Sequence, residues 1–199
     1  MGKSACIAAL AALFCTSAGA AAADTLVIGG GFANACSDAA NAQALGKQFP
    51  ELRKSRSGVV LPPIEACNRA LQDEVLGLRD IAATHVNRGV LLMGAGDYAA
   101  AQADFETALR LKPDMAEARA NRGGAMISQR QYREGVEELT AGIAMQPAQL
   151  EKSYYNRAIG QEALGDLKSA YLDYLKASEL KPEWQAPKDQ LTRFTVRRR

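Results

Sequence analysis

The tripeptide Asn87-Arg88-Gly89 decides the fold, because it returns as Asn121-Arg122-Gly123 and, with one change, as Asn156-Arg157-Ala158. Successive copies are separated by 34 and then 35 residues. A proline follows each copy and recurs at the same two intervals: Pro113, Pro147 and Pro182. A fixed period of this size is typical of one supersecondary unit that is repeated and stacked.

Each unit predicts two helices joined by a tight turn, and the proline ends the second helix because it lacks an N–H. The first turn is Gly94-Ala95-Gly96-Asp97, with Asp97 as a suitable N-cap, and the third is Leu164-Gly165-Asp166. The second unit offers Gln129-Arg130-Gln131 and contains no glycine there. Apolar residues of the second helices fall at helical spacing: Ala101, Phe105, Ala108 and Leu109, then Val136, Leu139 and Ile143, then Ala170, Tyr174 and Ala177.

Over about residues 82–182 this pattern resembles the tetratricopeptide repeat. That family has a small residue on each first helix and an alanine followed four residues later by an aromatic residue on each second helix. The small positions are Gly89, Gly123 and Ala158. The alanine–aromatic pair is present as Ala101/Phe105 and Ala170/Tyr174, whereas Gly135/Leu139 departs from it.

The resemblance implies an all-α fold, a right-handed α-solenoid of three helix-turn-helix repeats at residues 81–114, 115–148 and 149–183. Residues 24–80 lie outside it and form either a helical cap or a degenerate extra unit, with predicted helices at 33–45 and 64–76. Residues 184–199 are predicted to be a C-terminal cap and basic tail. Trp184 and Phe194 are its expected packing residues, and the alternative is an exposed aromatic docking motif.

The first 23 residues have the features of a secretory signal: Lys3, a short apolar stretch and Ala21-Ala22-Ala23 before Asp24. A retained amphipathic anchor is the alternative. Cleavage after Ala23 leaves an exported, periplasmic or secreted, chain with no membrane span and 23 basic against 22 acidic residues. Such a near-neutral body does not favour nucleic-acid binding, which depends on neutralised phosphates.

After that cleavage two of the four cysteines remain, Cys36 and Cys67. An even pair in an oxidising compartment favours a disulfide, here one that joins two short helices across a long loop. Two buried free thiols are the other interpretation.

An acid stands sixteen residues after the arginine of each copy: Arg88 and Asp104, Arg122 and Glu138, Arg157 and Asp173. Because arginine can meet a carboxylate with two parallel hydrogen bonds, we expect three structural ion pairs rather than a ligand clamp.

The resemblance places Asn87, Asn121 and Asn156 on a concave groove lined by the first helices. Amides can hydrogen-bond an extended peptide backbone of any sequence, so an asparagine ladder for a peptide is one interpretation, and bracing of neighbouring repeats is the other. Other groove candidates are apolar: Val86, Val90, Ile127, Tyr155 and Ile159. Lysines and arginines that in some family members grip a terminal carboxylate are replaced here at Val86, Val90, Ala120, Gly124 and Tyr155.

No catalytic residues, metal ligands or cofactors are predicted. His85 is the single histidine, and no Gly-x-Ser-x-Gly elbow is present. We therefore expect a non-enzymatic adaptor whose partner is a protein or extended peptide. The alternative is a structural assembly subunit, and homo-oligomerisation is left open.

Overall fold

The computed structural model describes residues 31–44 and 61–194. Within these residues the chain forms nine α-helices and no strand: α1 Gly31–Ala44, α2 Pro63–Asp73, α3 Leu78–Gly94, α4 Tyr98–Leu111, α5 Ala116–Ser128, α6 Tyr132–Ala144, α7 Leu150–Ala163, α8 Leu167–Leu180 and α9 Gln185–Leu191. The predicted all-α solenoid is confirmed. The predicted signal segment 1–23, most of the expected loop at 49–63 and the tail from Thr195 lie outside the described residues.

Three antiparallel pairs form the body of the molecule: α3 with α4, α5 with α6, and α7 with α8. Consecutive pairs stack through α4 against α5 and α6 against α7, while α9 packs on α8. The first helices of the pairs also contact one another, α3 with α5 and α5 with α7. These first helices therefore share one face of the stack, and the second helices form the other.

Each pair is packed by a large side chain of the second helix against a small residue of the first. A Cβ on Gly89 would lie 2.6 Å from Phe105 Cε1, and one on Gly123 would lie 2.7 Å from Leu139 Cγ. In the third pair Tyr174 is buried in one cluster with Ala158. The small residue of the repeated tripeptide is thus required by close helix packing.

The turns of the first and third pairs follow the predicted chemistry. Asp97 and Asp166 are N-caps whose carboxylates accept hydrogen bonds from the backbone N–H of Ala100 and Ser169, each at 3.1 Å. The residues just before them, Gly96 and Gly165, have φ of +84° and +85°, a left-handed conformation that glycine adopts without strain.

The N-terminal helices α1 and α2 pack against each other and against α3. Helix α2 ends at Asp73, earlier than the predicted Leu76, because the chain is extended at Glu74. There the Glu74 carboxylate accepts hydrogen bonds from the backbone N–H of Phe32 at 2.8 Å and of Ala33 at 3.1 Å. Glu74 therefore satisfies two of the free N–H groups at the start of α1.

Candidate functional site

A pocket of about 430 Å³ lies on the face formed by the first helices. Helices α3, α5 and α7 each contribute to its lining, and the C-terminal part of α1 forms a further wall. The volume is within the range of pockets that hold small ligands or a short stretch of peptide.

All three repeated asparagines line this pocket: Asn87 from α3, Asn121 from α5 and Asn156 from α7. Each side chain is partly exposed, and none of the three amides has a hydrogen-bond partner within residues 31–44 and 61–194. Asn156 also packs across the repeat boundary, since its Nδ2 lies 3.0 Å from the place of a Cβ on Gly124. The three amides therefore face the pocket with unused donors and acceptors.

Two of the five predicted apolar groove residues also line the pocket. Val90 is partly exposed there, whereas Val86 is 7% exposed and belongs largely to the core around Phe105. The floor of the pocket is thus mildly apolar beneath the row of amides.

The other three predicted groove residues, Ile127, Tyr155 and Ile159, do not line this pocket. Ile127 is buried, and its Cδ1 fills the space beside Gly135 and Gly160. The reason is helical geometry. Ile127 follows Asn121 by six residues, which rotates it by about 240° around the helix.

Tyr155 and Ile159 pack with Tyr174 in the C-terminal cluster instead. Tyr155 lies one residue before Asn156, about 100° away around the helix, and Ile159 is four residues after Tyr155 and so shares its face. On α3 the equivalent residues Val86 and Val90 line the pocket, because α5 follows that helix in the stack, whereas the C-terminal cluster packs on this side of α7.

Lys152 is a pocket residue that the sequence analysis missed. It precedes Asn156 by four residues on α7, and this helical spacing is the signal that places it on the same face. Its Nζ donates a hydrogen bond to the backbone carbonyl of Ala44 at the end of α1. Burial, with a smaller effect of the Lys181 charge, lowers the pKa of the Lys152 ammonium, and Glu151 opposes this shift.

The arginines of the tripeptide point away from the pocket and each meets its acid on the paired helix. Arg88 contacts Asp104 through Nε at 2.7 Å and Nη2 at 2.6 Å, and Arg157 contacts Asp173 through Nε at 2.7 Å and Nη2 at 2.9 Å. In the middle pair, Arg122 Nη2 lies 2.7 Å from Glu138 Oε1. These side chains hold the two helices of a pair together and leave the asparagines to face the pocket.

The first of these pairs is extended by two further contacts. His85 Nδ1 lies 2.8 Å from Asp104, and Arg88 Nη1 donates to the side-chain oxygen of Asn68 on α2 at 2.9 Å. Burial raises the pKa of the Asp104 carboxyl, but the hydrogen bonds from Arg88 and His85 outweigh it and leave the pKa below its usual value. His85 thus belongs to a structural network.

Comparisons with known proteins agree with this architecture. The tetratricopeptide-repeat family profile matches residues 92–158. This segment comprises 67 of the 199 residues. No curated protein matches the chain at a significant level of sequence similarity.

Solved structures with the same fold include the Arabidopsis OM64 TPR domain, with 20% identity and a TM-score of 0.55 over 59% of this chain and 96% of that one. The second TPR domain of human RPAP3, solved in complex with an HSP70 peptide, has 22% identity and a TM-score of 0.53, and the match covers 59% of this chain and 97% of that one. A MamA RS-1 double mutant has 22% sequence identity and a TM-score of 0.57, and the match covers 77% of this chain and 82% of that one. At these identities the likeness concerns the fold.

A pair of helices joined by a disulfide precedes the three helical repeats, because the predicted bridge between Cys36 and Cys67 is present. Both cysteines are fully buried, and their Cα atoms are 4.9 Å apart. The bridge holds α1 against α2 at Cys36, before the residues of α1 that line the pocket.

Aromatic residues close the other end of the repeats. The ring of Trp184 lies 4.8 Å from that of Tyr155, and the ring of Phe194 lies 5.7 Å from Tyr171 and 6.0 Å from Tyr174. Burial and a hydrogen bond to the Glu162 carboxylate raise the pKa of Tyr174. Trp184 and Phe194 therefore lie against the last repeat.

Residues 31–44 and 61–194 contain no group of histidine, cysteine and acidic side chains that could hold a metal ion. None of their helices has both the length and the apolar character that a membrane crossing requires.

Proposed function

We propose that this protein is a non-enzymatic adaptor of the cell envelope that binds an extended peptide segment of a protein partner in the pocket formed by α3, α5 and α7. The observation that carries the proposal is the row of Asn87, Asn121 and Asn156, whose amides face the pocket and have no partner within the described residues. Each amide offers two donors and an acceptor, which suits the backbone of an extended chain.

Peptide binding by structural neighbours supports the same class of ligand. The first TPR of Spaghetti (RPAP3) was solved with an HSP90 peptide, and the second TPR domain of human RPAP3 with an HSP70 peptide. The proposed site here differs in character, because its lining combines asparagines and valines with one lysine that already contacts α1. The ligand class is therefore proposed from the amides of this chain and from its fold.

Two features of the chain support the envelope location. A buried disulfide between Cys36 and Cys67 persists in an oxidising compartment, and the predicted signal segment agrees with this assignment.

The proposal is tested by selecting peptides from a random library for binding to the oxidised protein. We expect selected peptides that lose binding when Asn87, Asn121 and Asn156 are replaced by alanine, while Asn34→Ala on an exposed part of α1 outside the pocket has no effect. Peptides that bind the triple variant equally well would contradict the site. Helical content measured by circular dichroism must stay the same, which separates loss of binding from loss of folding.

A second function, assembly with another subunit or with itself, is favoured by exposed leucines of the third repeat. Leu164, Leu167, Leu172 and Leu180 are each more than 40% exposed. Size-exclusion chromatography distinguishes the two: the adaptor is a monomer until a partner is added. A stable oligomer that loses its association when Leu167 and Leu172 become serine supports the assembly role.

A further inference from the structure

The last turn of α1, residues 41–44, lies at the pocket on which the proposed function rests. Asn41, Gln43 and Ala44 all line this pocket together with the asparagines. Helix α1 is not part of any repeat, so this segment is an addition to the surface that the three repeats build themselves.

A single polar contact ties this turn to the third repeat. Lys152 Nζ on α7 donates to the carbonyl oxygen of Ala44. A backbone carbonyl oxygen is a strong acceptor, so a lysine ammonium is a favourable partner for it. Lys152 thereby connects the N-terminal helix to a repeat that follows it by more than a hundred residues.

The disulfide and Glu74 anchor α1 closer to its start, at Cys36 and at the N–H groups of Phe32 and Ala33. In the turn itself Ala42 is buried and Gln43 lies over Gly94 of α3, whereas Asn41 is exposed. The contacts of Lys152, Ala42 and Gln43 therefore hold the turn at the pocket, while separate contacts hold the rest of α1 on α2.

Lys152 is incompletely satisfied by this contact. An ammonium has three N–H donors, and here it has one neutral acceptor within the described residues. Its site is partly buried, and this burial lowers its pKa. A half-buried cation gains from a partner that supplies further or charged acceptors.

We propose that residues 41–44 are an exchangeable occupant of the pocket: Lys152 holds them against the third repeat in the free protein, and a bound peptide takes their place on Lys152. The contact is thus autoinhibitory. A peptide must compete with a segment of the same chain, so the apparent affinity of the pocket is lower than its intrinsic affinity.

The first test uses the free, oxidised protein and needs no ligand. Hydrogen exchange of the amides of residues 41–44 is measured by mass spectrometry in the wild type, in Lys152→Met and in the control Lys168→Met, an exposed lysine of α8. We expect Lys152→Met to speed this exchange roughly two- to fivefold, the effect of losing one net hydrogen bond. Helices α3–α8 should exchange unchanged. Equal exchange in the two variants would overturn the proposal.

The second test adds a library-selected peptide whose binding depends on Asn121. We expect exchange to slow in α3, α5 and α7 and to become faster at residues 41–44, because the turn is displaced. Slower or unchanged exchange at residues 41–44 would show a permanent wall and overturn the proposal. If no peptide depends on Asn121, the proposed function fails, while the first test still decides whether Lys152 holds the turn.

Discussion

The first and third repeats share one design, and the middle repeat between them has another. In the outer repeats an aspartate caps the second helix and a glycine takes the left-handed position before it, at Gly96 and Gly165. In the middle repeat Gln131 gives no side-chain cap, and Arg130 adopts φ of +63°. The repeated backbone is thus kept even where the local sequence favours it less.

The middle repeat compensates through close packing of its helices. A Cβ on Gly142 would lie 3.0 Å from the backbone nitrogen of Ala120, where the outer repeats have Ala108 and Ala177. Its ion pair also differs, because the Glu138 side chain is 19% exposed whereas Asp104 is 6% exposed. The comparison indicates that caps and buried ion pairs stabilise the ends of the array, and backbone proximity stabilises its centre.

The largest expected difference is between the ion pairs. Asp104→Asn should lower the free energy of unfolding by about 2–3 kcal/mol, because it leaves the Arg88 guanidinium without a charged partner in a largely buried site. Glu138→Gln should cost about 1 kcal/mol, since water reaches that pair. Urea unfolding followed by circular dichroism measures both. Equal losses of unfolding free energy in the two variants would contradict the proposed difference between the outer and middle ion pairs.

The same carboxylate predicts a dependence on pH. The pKa of Asp104 is lower in the folded state than its usual value, so its stabilisation is present above about pH 4 and is lost as the pH falls through the folded pKa. Stability of the wild type should therefore fall more steeply on acidification than that of Asp104→Asn. Parallel curves of unfolding free energy against pH would show that Asp104 is not part of the acid response.

A smaller effect is expected at the close helix contact of the middle repeat. Gly142→Ala should destabilise by about 1–2 kcal/mol, since the new methyl group meets the backbone of Ala120. Alanine is the native residue at the equivalent positions of the outer repeats, Ala108 and Ala177, so the expected loss is specific to the middle repeat. If thermal and urea unfolding show no loss, close packing does not distinguish the middle repeat.

The missing cap can be supplied. Gln131 has φ of −82° and ψ of 65°, close to the values of −85° and 72° at Asp97. Gln131→Asp should therefore stabilise by about 0.5–1 kcal/mol through a new bond to a free N–H of α6. The matched change Asp97→Ala should destabilise by a similar amount. If Gln131→Asp leaves the free energy of unfolding unchanged, the backbone of the middle turn does not allow the cap that Asp97 makes in the first repeat.

The smallest effect is expected at the left-handed residue. Arg130→Gly should stabilise by about 0.5 kcal/mol, because the relief of strain at positive φ exceeds the added flexibility of the unfolded chain. Gly96→Arg in the first repeat should have the opposite sign. The midpoint of urea unfolding is sufficient to detect both, and destabilisation by Arg130→Gly would contradict the strain argument.

The fold could be predicted from the sequence because the repeated tripeptide marks both the helical period and the positions where the helices pack closely. Gly89 and Gly123 recur where large side chains approach, and a local repeat therefore carries tertiary information. The disulfide followed from counting cysteines. The predicted pairing of each arginine with the acid sixteen residues later agrees with the contacts reported above.

The pocket was harder to predict. Its asparagines stand out because they share one register, but Tyr155 and Ile159 pack in the C-terminal cluster, and the repeat pattern does not show which helix covers that side of α7. The spacing of Lys152 from Asn156 indicates the pocket face, but its contact with α1 depends on where a helix more than a hundred residues earlier docks, and no local pattern contains that contact. Long-range docking of the non-repeated helix α1 on the repeats is therefore the part that the sequence alone did not supply.

The central claim is that the three asparagines bind a peptide, and its most direct test is the affinity of a library-selected peptide measured by calorimetry. The account predicts that the Asn87→Ala, Asn121→Ala, Asn156→Ala triple variant binds on the order of 100-fold more weakly, at about 1 kcal/mol for each lost hydrogen bond. Its unfolding free energy should remain close to that of the wild type. Unchanged affinity in a folded triple variant would contradict the account.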